Sequence, residues 1–463
     1  MQMTSPIRQI TVIPGDGIGQ EVVDATLQIL EAASAPISWV KCRAGEALFK
    51  EGISTGVPND TLESIKQTKI VLKGPLTTPV GYGERSANVF LRKAFGLFAN
   101  IRPVKQYPNI PSIFRDIPID LVVIRENIED LYAGIEYYHQ PGIAQSIKLI
   151  SEYGCDHINA FAYEYAKLTH RKTLHCATKA NILKTTEGMM KKSFERLAAE
   201  YPSIDSKHII IDNCAHQLVV NPAQFEMIVT TNMNGDIISD LTSGLVGGLG
   251  IAPSANIGRD VAMFEAVHGA APDIAGKNKA NPTAMILSAV MMCRYLGLDD
   301  HADTIENALA VTFESGKMTG DLNPSNPCST VEFTAEVINN LGKKSNAFKP
   351  SIFKPIAMPE VIPPKLNKGL CKGIDIIIIS DQTYSEIQTH LNTIAKTHDF
   401  LKVRLSNRGK EINGNDKQQI IPQWFCRFEL DHGECDDQKI TNLVNDVSQI
   451  FHWVQVEKLC SFN

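Results

Sequence analysis

The segment ITVIPGDGIG at residues 10–19 joins a short apolar run to a turn that contains three glycines. The apolar run predicts a buried strand, and the residues from about Glu21 to Ala33 predict a helix. A strand, a glycine turn and a helix in this order begin a βαβ unit, so we predict an α/β fold. We do not predict a Rossmann domain, because its GxGxxG motif would need glycine where Gln20 stands.

A second segment, NMNGDIISDL at residues 232–241, carries two carboxylates four positions apart. Its Asn-Gly pair predicts a helix start, and Asp236 and Asp240 would then share one face of that helix. Two parallel carboxylates favour a hard divalent cation between them. The alternative is a solvated helix start that happens to carry two acids, and the DxxxD spacing taken alone favours that alternative.

Three arginines stand near the ends of predicted elements. Arg92 lies in a helix with Ser86 and Asn88, Arg102 follows that helix, and Arg125 follows a predicted strand. Guanidinium groups bind carboxylates at two points, so three of them suit a substrate with several carboxylates. The alternative is that each pairs with a local surface acid, which is the more common case for a single arginine.

Loops supply the remaining candidates. The segment KGPLTTPVGYG at residues 73–83, which includes Thr78, interleaves glycine with proline and predicts a lid or a ligand-facing segment. Lys179 follows a predicted strand and is a candidate acid/base group, with a solvated loop lysine as the alternative. Asp212 ends the strand predicted at residues 208–211.

Composition sets limits on the class of protein. A chain of 463 residues suggests two or three domains, and a formal net charge of -6 without a basic run disfavours nucleic acid as a partner. Ten cysteines without a CxxC pair predict a reducing, cytoplasmic location. Neither a membrane span nor a signal peptide is predicted.

These segments resemble those of the β-decarboxylating dehydrogenase family, which includes isocitrate, homoisocitrate and isopropylmalate dehydrogenases. The likeness is collinear over about residues 8–345 and implies that family's two-domain fold. Members that act on isocitrate are similar at Ser86 and Asn88, which in the family contact the third substrate carboxylate. The shared motifs are IPGDGIGxE, SxNxxLR, NIRP, RENxEDLYAGIE, TKAN, NGDxxSD, GGLGIAPSANIG and HGAAPDIAGKNKANP.

The resemblance implies oxidative decarboxylation of isocitrate to 2-oxoglutarate and CO2, a step of the tricarboxylic acid cycle. Tyr132 and Lys179 would be the acid/base pair, with Lys179 supplied across a homodimer or larger homo-oligomer. Asp236 and Asp240 would hold Mg²⁺ or Mn²⁺ together with Asp212 of the second subunit. The residues implied for isocitrate are Thr78, Ser86, Asn88, Arg92, Arg102 and Arg125.

The resemblance also implies that the loop at residues 268–276 surrounds the adenosine of the cofactor. Asp273 would accept a hydrogen bond from the ribose 2′-hydroxyl and repel a 2′-phosphate, whereas NADP-using relatives carry Lys and Tyr where Asp273 and Ile274 stand. We therefore expect NAD+, with Lys277 or Lys317 as alternative partners for a phosphate. The residues implied for the cofactor are Asn181, His268, Gly269, Ala271, Asp273, Ile274 and Asn281.

Beyond residue 345 a proline-rich stretch predicts a stiff linker, followed by a small α+β domain. Isocitrate-specific members with an added C-terminal domain are similar at SNRG (406–409), WFCRF (424–428) and VEKL (456–459). We predict a role in subunit assembly, with a small-molecule regulatory site as the alternative. The predicted divisions are 1–98 and 257–345 for a large domain, 99–256 for a small dimerisation domain, 346–368 for the linker and 369–463 for the C-terminal domain.

Two other functions compete. A homoisocitrate or isopropylmalate enzyme is disfavoured by Ser86 and Asn88, because the former typically lacks this pair and the latter carries apolar residues in that helix. A non-catalytic regulatory subunit of the same fold would be expected to have lost part of the candidate site, and Tyr132, Lys179 and the three aspartates are all present.

Overall fold

The computed structural model describes residues 7–78, 83, 85–114, 117–347, 349–365, 367–400, 402–407, 410–411 and 421–462. The larger of two units runs to Tyr137 and continues over Gln145–Pro363, and the smaller contains Tyr138–Ala144 and the chain from Pro364 onward. Residues 79–82 of the predicted lid and 408–409 of the C-terminal motif lie outside the described residues. The finer domain boundaries given above stay predictions.

Strands and helices alternate through most of the described chain. The strands are β1 Arg8–Ile13, β2 Ile37–Lys41, β3 Ile70–Lys73, β4 Ala99–Lys105, β5 Asp120–Glu126, β6 Glu136–Gln140, β7 Ile143–Ser146, β8 Thr173–Thr178, β9 Asp205–Ile210, β10 Met227–Thr230, β11 Pro253–Ile257, β12 Ala262–Ala266, β13 Leu370–Ile379, β14 Lys402–Asn407, β15 Lys410–Glu411, β16 Gln423–Glu429 and β17 His452–Ser461. The helices are α1 Gly19–Ala32, α2 Glu46–Lys50, α3 Asn59–Thr68, α4 Ala87–Ala94, α5 Glu152–Leu168, α6 Thr186–Ala198, α7 Ile211–Val220, α8 Asn232–Val246, α9 Thr283–Tyr295, α10 Asp299–Glu314, α11 Thr330–Asn339, α12 Tyr384–Thr397 and α13 Asp437–Ser448.

The larger unit is built on a mixed sheet with the strand order β2-β1-β3-β12-β11-β4-β5-β10-β8-β9. Neighbouring strands from β2 to β12 and from β5 to β9 pair in parallel, whereas the pairs β12-β11, β11-β4 and β4-β5 are antiparallel. Parallel strands are normally covered on both faces, and β10 and β12 are buried along their whole length. The predicted α/β fold is confirmed, and the antiparallel centre of the sheet distinguishes it from a Rossmann domain.

The first segment forms the elements predicted for it. Residues 10–13 are a buried part of β1, and α1 begins at Gly19, directly after the glycine turn. The strand predicted at residues 208–211 begins three residues late and ends one residue late, because β9 spans Asp205–Ile210 and α7 starts at Ile211. Asp212 therefore lies in the first turn of a helix, where a carboxylate is favoured by the helix dipole.

The smaller unit contains the sheet β15-β14-β16-β13-β17, whose neighbouring strands are all antiparallel. The chain order β13-α12-β14-β16-α13-β17 makes this a split βαβ arrangement. Ile374, Ile376 and Ile378 of β13 alternate onto the buried face and pack with apolar residues of α12 and α13. The predicted α+β domain is confirmed. In the described chain, no helix has both the length and the apolar character of a membrane span.

Candidate active site

Two buried arginines from neighbouring strands converge on Asp236 of α8. Arg102 of β4 places Nη1 3.2 Å from Oδ1 of Asp236, and Arg125 of β5 pairs with the same oxygen. Arg125 also donates to Oδ1 of Asn232 from Nε at 3.1 Å and from Nη2 at 2.8 Å. Burial and the neighbouring guanidinium of Arg102 lower the pKa of Arg125 to about 9. The two arginines thus form a buried cationic cluster, which suits an anionic ligand.

Helix α8 begins at Asn232, before the Asn-Gly pair that we expected to start it. Gly235 lies inside the helix and faces Arg125, where an added Cβ would come 2.6 Å from Cγ of the arginine. Arg125 can therefore pack closely against the helix only because residue 235 is glycine. The helix start predicted after the Asn-Gly pair is wrong by one turn.

Tyr132 lies in a short 3-10 turn, Leu131–Ala133, and its hydroxyl donates to Oδ2 of Asp236. Its ring packs against Arg125, whose Cζ is 4.9 Å from the ring centroid. Burial raises the pKa of Tyr132, the charge of Arg125 opposes the rise, and the bond to Asp236 adds to it. Tyr132 is therefore protonated at neutral pH and has a proton to donate.

The guanidinium group of Arg92, on α4, pairs with the buried carboxylate of Glu265 on β12. Its Nη2 lies 3.1 Å from Oε1 of Glu265, while Lys73 of β3 pairs with the other carboxylate oxygen. Burial alone would raise the pKa of Glu265, but Lys73 and Arg92 hold the pKa well below its usual value. Nε of Arg92 is buried and has no hydrogen-bond partner among the described residues. Arg92 thus retains a donor for a ligand.

The other residues predicted to bind substrate gather around the first turn of α4. Oγ1 of Thr78 lies 2.9 Å from Oγ of Ser86, which caps the helix. Asn88 accepts a hydrogen bond from Nζ of Lys73 at 2.9 Å. Asn88 and Arg92 are four residues apart, so they lie along one side of this helix.

Asp236 and Asp240 both point toward Arg102, whose Nη1 lies 3.2 Å from the first carboxylate and 3.5 Å from the second. Burial alone would raise the pKa of Asp236, but Arg125 and Arg102 hold the pKa below its usual value. Hard divalent cations prefer six or more oxygen ligands. The two carboxylates fit part of such a set, and within the described part of the chain no third acidic, histidine or cysteine side chain joins them.

Lys179 and Asp212 form a separate pair. Nζ of Lys179 lies 2.8 Å from Oδ1 of Asp212; the Asp212 side chain is largely open to solvent, and that of Lys179 is partly exposed. Within the described chain, no hydrogen bond or ion pair joins either of them to Tyr132 or Asp236. Asn181 is exposed in the turn that follows Lys179.

The loop predicted to surround adenosine packs against the first glycine turn. The N–H of Ile18 donates to the carbonyl of Ala270 at 2.8 Å. A Cβ on Gly17 would come 1.9 Å from that carbonyl oxygen, so this contact requires glycine. The glycines of the first segment therefore bring two backbone segments together.

His268 and Asn281 flank this loop. Nε2 of His268 is buried without a hydrogen-bond partner in the described structure, which fits a polar group of a ligand. Nδ1 of His268 is 3.0 Å from the carbonyl oxygen of the exposed Gly269, and Ala271 has a left-handed φ of +39°. Nδ2 of Asn281 donates to Asp321 at 2.9 Å.

Several residues that support the site were not predicted from the sequence. Lys73 and Glu265 support Arg92. Glu265 could have been noticed, because it is a glutamate within the otherwise apolar strand β12. Asp130, Lys148 and Glu187 form a buried ionic cluster beneath the site. Only the fold brings these three together.

The chain belongs to the isocitrate/isopropylmalate dehydrogenase family, which it matches over residues 9–338. Residues 370–463 match the C-terminal domain of bacterial isocitrate dehydrogenase. The predicted family and its added C-terminal domain are confirmed.

Individual relatives match nearly the whole chain. The chain is 50% identical to isocitrate dehydrogenase (NADP) of Thermus thermophilus, with 98% of this chain and 93% of the relative covered. It is 40% identical to isocitrate dehydrogenase (NADP) of Rickettsia felis, with 98% and 96% covered. The crystal structure of the TT0538 protein from Thermus thermophilus has a TM-score of 0.95 at 50% identity, and the match covers 98% of this chain and 94% of that one.

The expectation of NAD+ is wrong, because these full-length relatives are named as NADP enzymes. That expectation rested on the charge of Asp273 and on Ile274, which cannot bind a phosphate. The Asp273 side chain is exposed, so that water and salt screen its charge, and Nζ of Lys277 donates to its carbonyl oxygen at 2.7 Å. Lys279 and Lys317 are exposed as well. A single exposed carboxylate next to a lysine does not exclude a phosphate.

Proposed function

We propose that the chain catalyses the NADP+-dependent oxidative decarboxylation of isocitrate to 2-oxoglutarate and CO2 with a divalent metal. The observation that carries this proposal is the convergence of Arg102, Arg125 and Tyr132 on Asp236. Membership in a family named for isocitrate and isopropylmalate supports the substrate.

The substrate carboxylates are assigned to the arginines. Arg102 and Arg125 share the carboxylate of Asp236, while Asp240 lies 3.5 Å from Arg102 and is half-exposed. A guanidinium group has five N–H donors and binds carboxylates at two points, so both arginines can also bind a substrate carboxylate. Arg92 adds a buried Nε that has no partner within the described residues. Arg92 lies near enough to Arg102 and Arg125 to lower the pKa of both, and three neighbouring cations suit the three carboxylates of isocitrate.

Proton transfer is assigned to Tyr132 and Lys179. Tyr132 keeps its proton and would donate it to the carbon from which CO2 departs. Lys179 of a second copy would accept the proton of the substrate hydroxyl as hydride leaves. A divalent metal, when bound at Asp236 and Asp240, supplies Lewis-acid stabilisation of negative charge on the substrate oxygens.

A homo-oligomer with shared sites completes the proposal. Lys179 and Asp212 of one chain pair with each other, and no third acidic side chain joins Asp236 and Asp240 within the described residues, which supports their supply by a second copy. The helices that carry Asp212 and Asp236 also expose apolar side chains, which fits an interface. These side chains are Val219, Val220, Met233 and Ile237.

A cytoplasmic location also belongs to the proposal. All ten cysteines are free, and six of the seven that are buried carry thiols whose pKa burial raises. Inert, unpaired thiols fit a reducing compartment.

Steady-state kinetics with isocitrate and Mn²⁺ test the proposal. We expect kcat/KM to be at least about tenfold higher with NADP+ than with NAD+, because a charge-assisted bond to the 2′-phosphate is worth about 1.5–3 kcal/mol. Lys277→Ala should lower kcat/KM for NADP+ and leave that for NAD+ unchanged, whereas Lys396→Ala on α12 should change neither.

The outcomes separate the parts of the proposal. A higher kcat/KM with NAD+ would contradict the cofactor, and turnover only with homoisocitrate or isopropylmalate would contradict the substrate. Absence of turnover with any of the three acids would contradict the enzyme itself.

A further inference from the structure

We propose that Lys148 is a positioning residue that links three parts of the active site through two buried carboxylates. The parts are the tyrosine turn at residues 130–133, the lysine turn at residues 179–182 and the first turn of α8. The inference rests on the proposed function, since it concerns the placement of Tyr132 and Lys179.

Lys148 lies between Asp130 and Glu187. Its Nζ pairs with Oδ1 of Asp130 and lies 2.9 Å from Oε1 of Glu187. Both carboxylates are fully buried, and the lysine side chain is 17% exposed. An ammonium group has three donors, so one lysine can bind both carboxylates and neutralise part of their charge.

Asp130 fixes the tyrosine turn to α8. Its Oδ1 accepts from the N–H of Leu131 at 2.8 Å, and its Oδ2 accepts from the N–H of Met233 at 2.9 Å. The residue has a φ of +67°, which is unfavourable for any residue other than glycine. Such a conformation persists only where surrounding contacts impose it. Here the bonds to Lys148 and Met233 hold the backbone two residues before Tyr132.

Glu187 fixes the lysine turn to the same helix. Its Oε2 accepts from the main-chain N–H of Lys179 at 3.0 Å and from Nδ2 of Asn234 at 3.3 Å. Its Oε1 accepts from Oγ1 of Thr231 at 3.0 Å. One glutamate therefore joins the backbone of the proposed base to the start of the helix that carries Asp236.

Loss of the Lys148 charge would leave two buried carboxylates near each other without their shared cation. Repulsion and desolvation would then favour movement of both turns away from α8. Because Lys148 forms no hydrogen bond or ion pair with Tyr132 or with the Lys179 side chain in the described structure, its effect on catalysis has to act through these turns.

Lys148→Met tests the link by kinetics and by hydrogen exchange. We expect kcat to fall about 10–100-fold, as is typical when a supporting residue is lost, while KM for isocitrate changes less than about threefold. Amide exchange should become faster at residues 130–133, 179–182 and 231–236. Lys148→Arg, which keeps the cation, should recover most of kcat.

Arg294→Met is the matched control, because it also removes the cation from a buried ion pair, with Glu306. It should lower Tm and leave kcat and the exchange of the three segments unchanged. Lys148→Met combined with Glu187→Gln removes one unneutralised carboxylate, so it should recover Tm but not kcat. If Lys148→Met does not fold, kcat and amide exchange are measured on the double variant instead.

Wild-type kcat in Lys148→Met, unchanged exchange in the three segments, or recovery of kcat together with Tm in the double variant would each overturn the proposal. The exchange measurement needs no substrate. A wild-type chain that does not turn over isocitrate would therefore refute the proposed function while exchange still decides whether Lys148 links the turns.

Discussion

Asp236 receives bonds from three side chains that come from two strands and a turn: Arg102, Arg125 and Tyr132. The arginines hold the pKa of Asp236 below its usual value even though burial alone would raise it, so the carboxylate stays charged. An anionic Asp236 in turn keeps the tyrosine proton in place. The charge state that the proposed chemistry needs thus results from how these four groups are buried together.

Tyr132→Phe should lower kcat about 100-fold or more, because a general acid typically contributes a factor of this size. KM for isocitrate should change little, since the ring and its contact with Arg125 remain. Tyr137→Phe, at an exposed position of β6, is the control and should keep wild-type kinetics. Equal kcat in the two variants would exclude Tyr132 as the acid.

Glu126, next to Arg125, makes stability depend on pH. Burial raises its pKa from 4.5 to about 7, although main-chain N–H groups of Ile128 and Glu129 oppose the rise. Between these values the folded chain binds a proton that the unfolded chain has lost, so stability falls as pH rises. At 1.36 kcal/mol per pKa unit the fall is about 3 kcal/mol.

Glu126→Gln removes this titration. The Tm of the variant relative to wild type should therefore increase as pH is raised from about 5 to 8, measured by thermal unfolding in matched buffers. Glu31→Gln, an exposed position on α1, should follow the wild-type curve. Parallel curves for Glu126→Gln and wild type would show that Glu126 does not titrate in this range.

Helix α8 contains two glycines, and only one of them lies where a side chain would not fit. At Gly235 an added Cβ would lie 2.6 Å from Cγ of Arg125, whereas at Gly244 no atom lies within 4 Å of it. Gly235→Ala should displace Arg125 and lower kcat/KM for isocitrate by about tenfold or more. Gly244→Ala should keep kcat/KM and stabilise the helix by up to about 1 kcal/mol. Similar kinetics for the two variants would contradict the packing argument.

The sequence predicted which helices and strands form more accurately than it predicted where they begin and end. The apolar run at residues 10–13 and the α+β pattern after residue 369 could be predicted because both follow local periodicity. The start of α8 could not, since Asn-Gly is a common turn signal and only contact with Arg125 explains Gly235 inside the helix. The end of β9 could not be predicted either, because a run of three isoleucines continues from β9 into α7 without a break in the apolar pattern.

The larger unit illustrates what sequence cannot show about a whole molecule. The family motifs predicted that Asp236 and Tyr132 share one site, but nothing in the sequence indicated that Lys148 lies between Asp130 and Glu187. The cofactor prediction failed for a related reason. It gave Asp273 and the apolar Ile274 more weight than Lys277 and Lys317, although water and salt screen the charge of an exposed carboxylate.

The central claim is that Lys179 and Asp236 act in one site although they belong to two copies of the chain. Lys179→Met and Asp236→Asn should each be inactive as homo-oligomers. A heterodimer of the two, isolated through different tags on the two chains, would contain one site with both substitutions and one with neither. We predict about half of the wild-type activity per dimer for this species. Activity no higher than that of the two parent variants would show that Lys179 and Asp236 of the same chain serve the same site, or that one of them serves none.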